Sequence, residues 1–211
     1  MKPFELLPLF SIPVYISSVD IDDDTVTLVE NVEFKRLDIN NGDRSKDTYI
    51  LNSEGFKNLQ SSIMSHVERL VREVFFVEKY INFEMKNSWI MRHTAGDYAG
   101  GHFHPNSMLS GILYIKTDNQ SGDLIFKKVP NHLTIFSGNL DLPVSEHSIF
   151  NSSTWRITPK NNQLIIFPSH LVHEVTKCIS NNIRYCIAFN LFPTGTLGLA
   201  DVEPINILEL K

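Results

Sequence analysis

The chain has little cysteine, no basic run and no long apolar stretch, and each shortage removes a class of function. Two cysteines, Cys178 and Cys186, stand in 211 residues. Cys186 sits inside an apolar run, so buried reduced thiols are expected rather than a disulfide. No window approaches the ~18 apolar residues that a membrane-spanning helix needs. The N-terminal stretch MKPFELLPLFSIPVYI is apolar but interrupted by Pro3, Glu5, Pro8 and Pro13, which leaves no continuous core for a signal peptide. The compartment this implies is the cytoplasm, with no membrane attachment. Lysine and arginine form no run, Lys127 and Lys128 reading as a solvated strand end, and the net charge is −5. A nucleic-acid surface, which needs clustered cations, is therefore not expected.

What is present is an ordinary globular composition, 42% hydrophobic and 20% charged, with 14 phenylalanines suited to a β-rich core. The length fits a single domain, 1–211. Residues 9–17 alternate as an early strand, with Pro13 at an edge or bend. Residues 18–50 read as polar loop, with Asp20 to Asp24 a solvated turn and Val32 to Leu37 at most a short strand. The strongest helical pattern covers 53–77, where Phe56, Leu59, Ile63, Met64, Val67, Leu70, Val71 and Val74 form one apolar stripe. Asn52 or Ser53 is placed to cap it. His66 falls at its surface or flank. This stripe can pack on a sheet or on a second subunit, so a homodimer stays open.

Beyond Tyr80 the period becomes two. Segments 83–93, 108–117, 123–129, 154–158, 163–168 and 183–192 read as short strands separated by turn clusters, which predicts a mainly β sandwich or barrel with the long amphipathic helix packed outside. Segment 130–153 is polar and too long for a tight hairpin, and is expected as a loop over a pocket.

Several polar residues stand where this pattern does not require them. GDYAGGHFHPNS places His102 and His104 in a Gly/Pro-rich turn, and two-residue spacing lets both imidazoles project the same way. Neutral imidazole suits iron, copper, nickel or zinc. Downstream, LIIFPSHLVHEV carries His173 on the same face as Leu171 and Val175, with His170 on the other. Arg184 opens a strand whose other inward positions are apolar, and a buried guanidinium needs an anionic partner such as a ligand carboxylate. Ile112, Ile166, Val175 and Ile187 are expected to line the site.

The order GDYAGGHFH, LSGILYI, LIIFPSHLVHEV and IRYCIAFNLF resembles the iron(II)- and 2-oxoglutarate-dependent oxygenases, in particular a branch with HxHPxSxLSG, over about residues 85–193. The resemblance implies a double-stranded β-helix (a jelly-roll, cupin-like fold) with its core at about 83–193. The strand, loop and helix of 1–80 precede that core. It implies Fe(II) as metal and 2-oxoglutarate and molecular oxygen as cosubstrates. The activity would be hydroxylation of a peptide, protein or metabolite with release of succinate and carbon dioxide. Carried over by position, His102 and His173 would be metal ligands and Arg184 would hold the distal carboxylate of 2-oxoglutarate. Tyr114 would donate to the same carboxylate, and Ser107, Ser110, Asn106 and Asn190 would line the approach. His104 departs from the family, which has a carboxylate there; either it is a neutral third ligand that leaves the metal centre one unit more positive, or it does not bind and water takes the third position. Asp97 does not match the motif position. The competing readings are a jelly-roll metal- or ligand-binding protein without turnover, and a cupin-like three-histidine enzyme that does not use 2-oxoglutarate.

Overall fold

The computed structural model describes residues 4–9, 11–38, 40–128, 143–198 and 204–207. Twelve strands among these residues form two antiparallel sheets. The larger contains β1 (Tyr15–Ser18), β2 (Phe34–Arg36), β3 (Asp43–Ser45), β4 (Asn82–His93), β6 (Leu109–Lys116), β9 (Gln163–Pro168) and β11 (Arg184–Leu197), in the order β1-β9-β6-β11-β4-β3-β2. Strand β12 (Ile205–Ile207) pairs with the far end of β11. The smaller sheet contains β5 (Ala99–His102), β7 (Leu124–Lys127), β8 (Thr154–Ile157) and β10 (His173–Val175), in the order β5-β10-β7-β8.

Side-chain alternation sorts the core into two layers. Ile112 and Tyr114 of β6, Ile165 and Phe167 of β9 and Cys186 of β11 pack against Leu124, Phe126 and Val175 of the smaller sheet. The opposite face of the larger sheet, with Leu113, Leu164, Ile166 and Ile187, packs on the helical layer through Leu59, Ile63, Val67 and Leu70. Each such fully buried aliphatic or aromatic side chain contributes about 1.5–3 kcal/mol relative to exposure. The result is the double-stranded β-helix expected from the sequence, with its helix outside. Ile166 and Ile187 were expected beside the site but face the helices, because each is one residue out of phase with the inward set.

Three local expectations change. The acidic stretch is not a turn: Asp22 accepts the Thr25 amide as N-cap of helix α1 (Asp23–Asn31), and Asp23 and Asp24 sit in its first turn, where the helix dipole favours negative charge. The long helix is α2 (Lys57–Arg69), preceded by two 3₁₀ turns and ended by a π turn at Leu70–Val74. Neither Asn52 nor Ser53 caps it; Asn52 accepts from Gln60, and the Ser53 hydroxyl donates to the Ile50 carbonyl. The apolar stripe stops at Val71, since Val74 is 48% exposed. His66 does sit at the helix flank, hydrogen-bonded to Tyr15 of β1 at 2.8 Å. The first strand is shorter than the expected 9–17. Of the expected loop 130–153, residues 130–142 lie outside the described residues, and 143–153 are irregular with one turn at 149–151.

The β2–β3 hairpin positions one wall of the site. Gly42, at φ +73°, closes its turn, and a Cβ there would lie 2.3 Å from the His93 ring. Arg36 grips Asp97 through two hydrogen bonds, at 2.5 and 3.2 Å, and Asp43 pairs with Arg92 at 2.8 Å. Asp97 also accepts from the amide and hydroxyl of Thr94. Burial opposes ionisation of Asp97, but the Arg36 and Thr94 donors prevail and hold its carboxyl at about 2. A hairpin of two three-residue strands is thereby tied to the segment that leads into β5.

Candidate metal and cosubstrate site

A cavity of about 360 Å³ opens between the sheets, lined at one end by His102, His104 and His173 and at the other by His93 and Arg184. Trp89, Met91, Ile112, Val175 and Ala188 form its apolar walls, and Leu37, Asn41 and Arg44 of the hairpin form its rim.

The histidine end follows from strand pairing. His102 ends β5 and His173 begins β10, and the two are direct cross-strand partners. His104 is held in the following turn, where its amide donates to the Ser169 carbonyl. One ring nitrogen from each of the three lies within 4.8 Å of the others. The Nε2 atoms of His104 and His173 are 3.3 Å apart. Two nitrogens bound to one first-row metal at roughly 2.1 Å stand about 3.0–3.4 Å apart, so this spacing fits a shared ion. The Nδ1–H of His102 donates to the Gly100 carbonyl at 2.8 Å, and that of His173 to the Leu171 carbonyl at 3.0 Å. These bonds select the tautomer whose Nε2 carries a free lone pair, the usual outer support of a histidine ligand. Phe167 and Phe126 pack on the His173 ring and fix its plane. Burial pushes His104 down to about 4 and His173 down to about 3, so both are neutral at physiological pH, as ligands must be.

The opposite end has donors without acceptors. Arg184 is 2% exposed, and no carboxylate pairs with it among the described residues. Its Nη1 donates to the Ser121 carbonyl at 3.3 Å, its Nη2 lies 3.6 Å from the Cys186 sulfur, and its Nε has no partner. The guanidinium lies 5.3 Å from the Tyr114 ring centre, and the fully buried Tyr114 hydroxyl is also unpartnered. His93, the cross-strand partner of Arg184, is 2% exposed with neither ring nitrogen bonded. Burial first, then the Arg184 charge, pushes its pKa down to about 4. Three buried polar groups left open at one spot are the signature of a site for an anion.

His102, His104, His173 and Arg184 line this one cavity, and Tyr114 lies beside Arg184 in the core without lining it. Ser110 and Asn190 are buried nearby but bonded to each other at 2.7 Å, with Ser110 also bonded to Ser169 and Asn190 to Asn87. Ser107 joins the same chain through Ser169. These polar atoms are consumed in tying the histidine turn to the larger sheet, and none of the three residues lines the cavity. Asn106 turns the chain at φ 58°. Asp97 is committed to Arg36 and Thr94, which removes it as a metal ligand. His170 is exposed. The sequence reading missed His93, although alternation along SWIMRH puts it in phase with Trp89 and Met91.

Solved structures share this fold at low identity. An epimerase, SnoN, described as non-haem and α-ketoglutarate dependent, from nogalamycin biosynthesis, is 12% identical with a TM-score of 0.61, covering 90% of this chain and 84% of its own. HygX from Streptomyces hygroscopicus, solved with nickel and 2-oxoglutarate bound, is 10% identical with a TM-score of 0.57, covering 95% and 93%. A prolyl hydroxylase from Trichoplax adhaerens is 16% identical with a TM-score of 0.56, covering 85% and 83%. No curated protein matches the sequence. The family described as "Putative 2OG-Fe(II) oxygenase" matches residues 87–190. That segment runs from β4 to β11 and includes all five residues at the two ends of the cavity, and over it the chain matches the 2-oxoglutarate- and iron(II)-dependent oxygenases.

Proposed function

We propose that His102, His104 and His173 hold iron(II) in this oxygenase. Arg184, with Tyr114 and His93, would receive the distal carboxylate of 2-oxoglutarate. When bound, iron and cosubstrate supply an oxygen-dependent oxidation coupled to loss of carbon dioxide and succinate. The chain's own part is placement. The Gly100 and Leu171 carbonyls orient two imidazoles, Arg184 offers a charged donor, and Trp89, Ile112, Val175 and Ala188 keep the space between them dry. The observation that carries this reading is the buried Arg184 guanidinium without a carboxylate, in the same cavity as three converging imidazoles. A three-histidine centre that ignored dicarboxylates would leave that charge without a purpose, which disfavours the cupin-like alternative. The two free, buried cysteines suit a reducing compartment and so the cytoplasm.

Succinate release from 2-oxoglutarate with iron(II) under oxygen tests the reading, alongside anaerobic equilibrium binding of 2-oxoglutarate. Wild type should bind and turn over the cosubstrate. His104→Asp, which supplies the carboxylate usual in the family, should retain or raise iron affinity if His104 is the third ligand. Wild-type protein that binds iron but not 2-oxoglutarate overturns the assignment of Arg184.

A further inference from the structure

Five of the seven arginines are matched to carboxylates: Arg36 to Asp97 and Asp43, Arg69 to Glu73, Arg72 to Glu68, Arg92 to Asp43, and Arg156 to Asp123. Arg44 and Arg184 alone have no carboxylate partner among the described residues, and both line the same cavity. Arg44 is half-buried on β3, opposite Met91 of β4, which also lines the cavity. The nearest acid in sequence, Asp43, is already engaged by Arg92 and Arg36. Among the described residues, no aspartate or glutamate lines the cavity.

We infer that Arg44 is the recognition group for an anionic primary substrate, one carrying a carboxylate or a phosphate group close to the atom that is oxidised. This rests on the proposed cosubstrate site and extends it. With iron(II) and 2-oxoglutarate bound, the metal and Arg184 would both face carboxylates, three neutral imidazoles would add no charge, and the cavity as a whole would keep a net positive charge. Arg44 would be the lining cation still without a carboxylate, in a cavity walled by apolar side chains that screen it poorly. A carboxylate at position 104 would lower that net charge by one; His104 does not. An anion on the substrate, held by the planar guanidinium of Arg44, restores the balance, whereas a cationic substrate would be repelled. The position suits the task. Arg44 lines the cavity from β3, with β4 between it and Arg184 on β11, on a hairpin clamped by Arg36–Asp97 and Arg92–Asp43. A clamped support holds the guanidinium in place before the ligand arrives, which lowers the ordering cost of binding.

The test uses the full chain loaded anaerobically with Mn(II) and saturating 2-oxoglutarate, so that the Arg184 end is filled. Titration calorimetry then measures a panel of aliphatic carboxylates and phosphonates of two to ten carbons, each beside its neutral amide. At least one acid should bind about tenfold or more tightly than its amide, and Arg44→Gln should erase that ratio while Arg44→Lys keeps part of it. Carboxylates outperforming phosphonates, or the reverse, identifies which anion the rim is shaped for. Acids and amides binding equally across the whole panel overturn the inference. So does Arg44→Gln weakening 2-oxoglutarate itself, which would assign Arg44 to the cosubstrate. Failure of 2-oxoglutarate to load is a separate result and strikes the cosubstrate site instead.

Discussion

At one end of the cavity, three imidazoles bring ring nitrogens toward one another, and two of them, His102 and His173, have their other nitrogen already bonded to a backbone carbonyl. At the other end, a guanidinium, a phenol and an imidazole present unused polar groups in the buried interior of the larger sheet. The first end presents donors suited to a cation and the second presents groups suited to an anion. Folding alone would favour filling neither space with such groups, because each buried polar atom without a partner costs about 1–3 kcal/mol. Proteins break local rules of satisfaction mainly at functional sites, and here the two violations are of opposite sign and share one cavity. A dianion that reaches both a metal and an arginine answers both at once.

The comparison breaks most sharply at the metal end. His173 is the most buried of the three imidazoles and the cross-strand partner of His102. His173→Ala should weaken metal binding by about 100-fold or more and abolish succinate release, as loss of one of three protein ligands implies. Competition against a metallochromic chelator measures this directly. Metal affinity retained within threefold would remove His173 from the centre.

The anion end should respond in two opposite ways to one change. Arg184→Met removes a buried charge that has no carboxylate partner, so 2-oxoglutarate affinity should fall by about 100-fold, given ~3 kcal/mol for a buried charged hydrogen bond. The ligand-free protein should hold its melting temperature or gain a few degrees, because an apolar side chain of similar volume no longer carries desolvated charge. Metal affinity should not move. A large loss of stability in the ligand-free variant would mean that Arg184 is a structural member of the sheet rather than half of a binding site.

His93 sharpens the same end with a smaller effect. His93→Phe keeps the ring beneath Gly42 but deletes its two nitrogens. Loss of one neutral hydrogen bond predicts a roughly tenfold weaker 2-oxoglutarate Kd with iron binding unchanged. Binding equal to wild type would show that the open nitrogens of His93 do not bond to the cosubstrate.

How visible these two ends are in the amino-acid sequence differs, and for a physical reason. The histidine end announces itself locally. His102 and His104 share a glycine- and proline-rich turn, and His173 follows an apolar strand, so spacing alone marks them. Arg184 is visible because a charge opens an apolar strand. His93 is not visible, because its importance lies in having no partner, and partners are known only once β4 and β11 are paired in register. The hairpin with Arg44 was hidden for another reason: strands of three residues are too short for alternation to register. Helix α1 was read as loop because its acidic start resembles a solvated turn until Asp22 is seen capping it. Conversely, Ser110 and Asn190 looked like site residues from their position, yet they bond to each other, which the sequence cannot reveal. The β-core itself was legible throughout, since period two persists wherever one face is buried.

The least dramatic comparison concerns protons. Burial holds His93 and His104 at about 4 and His173 at about 3, below the ordinary histidine value near 6.5. Between about pH 6.5 and 4 the unfolded chain therefore binds protons that the folded chain refuses, so stability is complete above 6.5 and is lost as pH falls through that window. Asp97, held at about 2, stays ionised across the same range and does not compete. The metal-free protein should melt on the order of 15 °C lower at pH 5 than at pH 7.5. His93→Phe, which keeps a buried ring with nothing to protonate, should reduce that drop by roughly a quarter to a third, the remainder coming from His104, His173 and the less buried His66, which burial also pushes down. A drop of equal size in the variant would show that the anion end does not share in the acid sensitivity, leaving it to the metal end and His66.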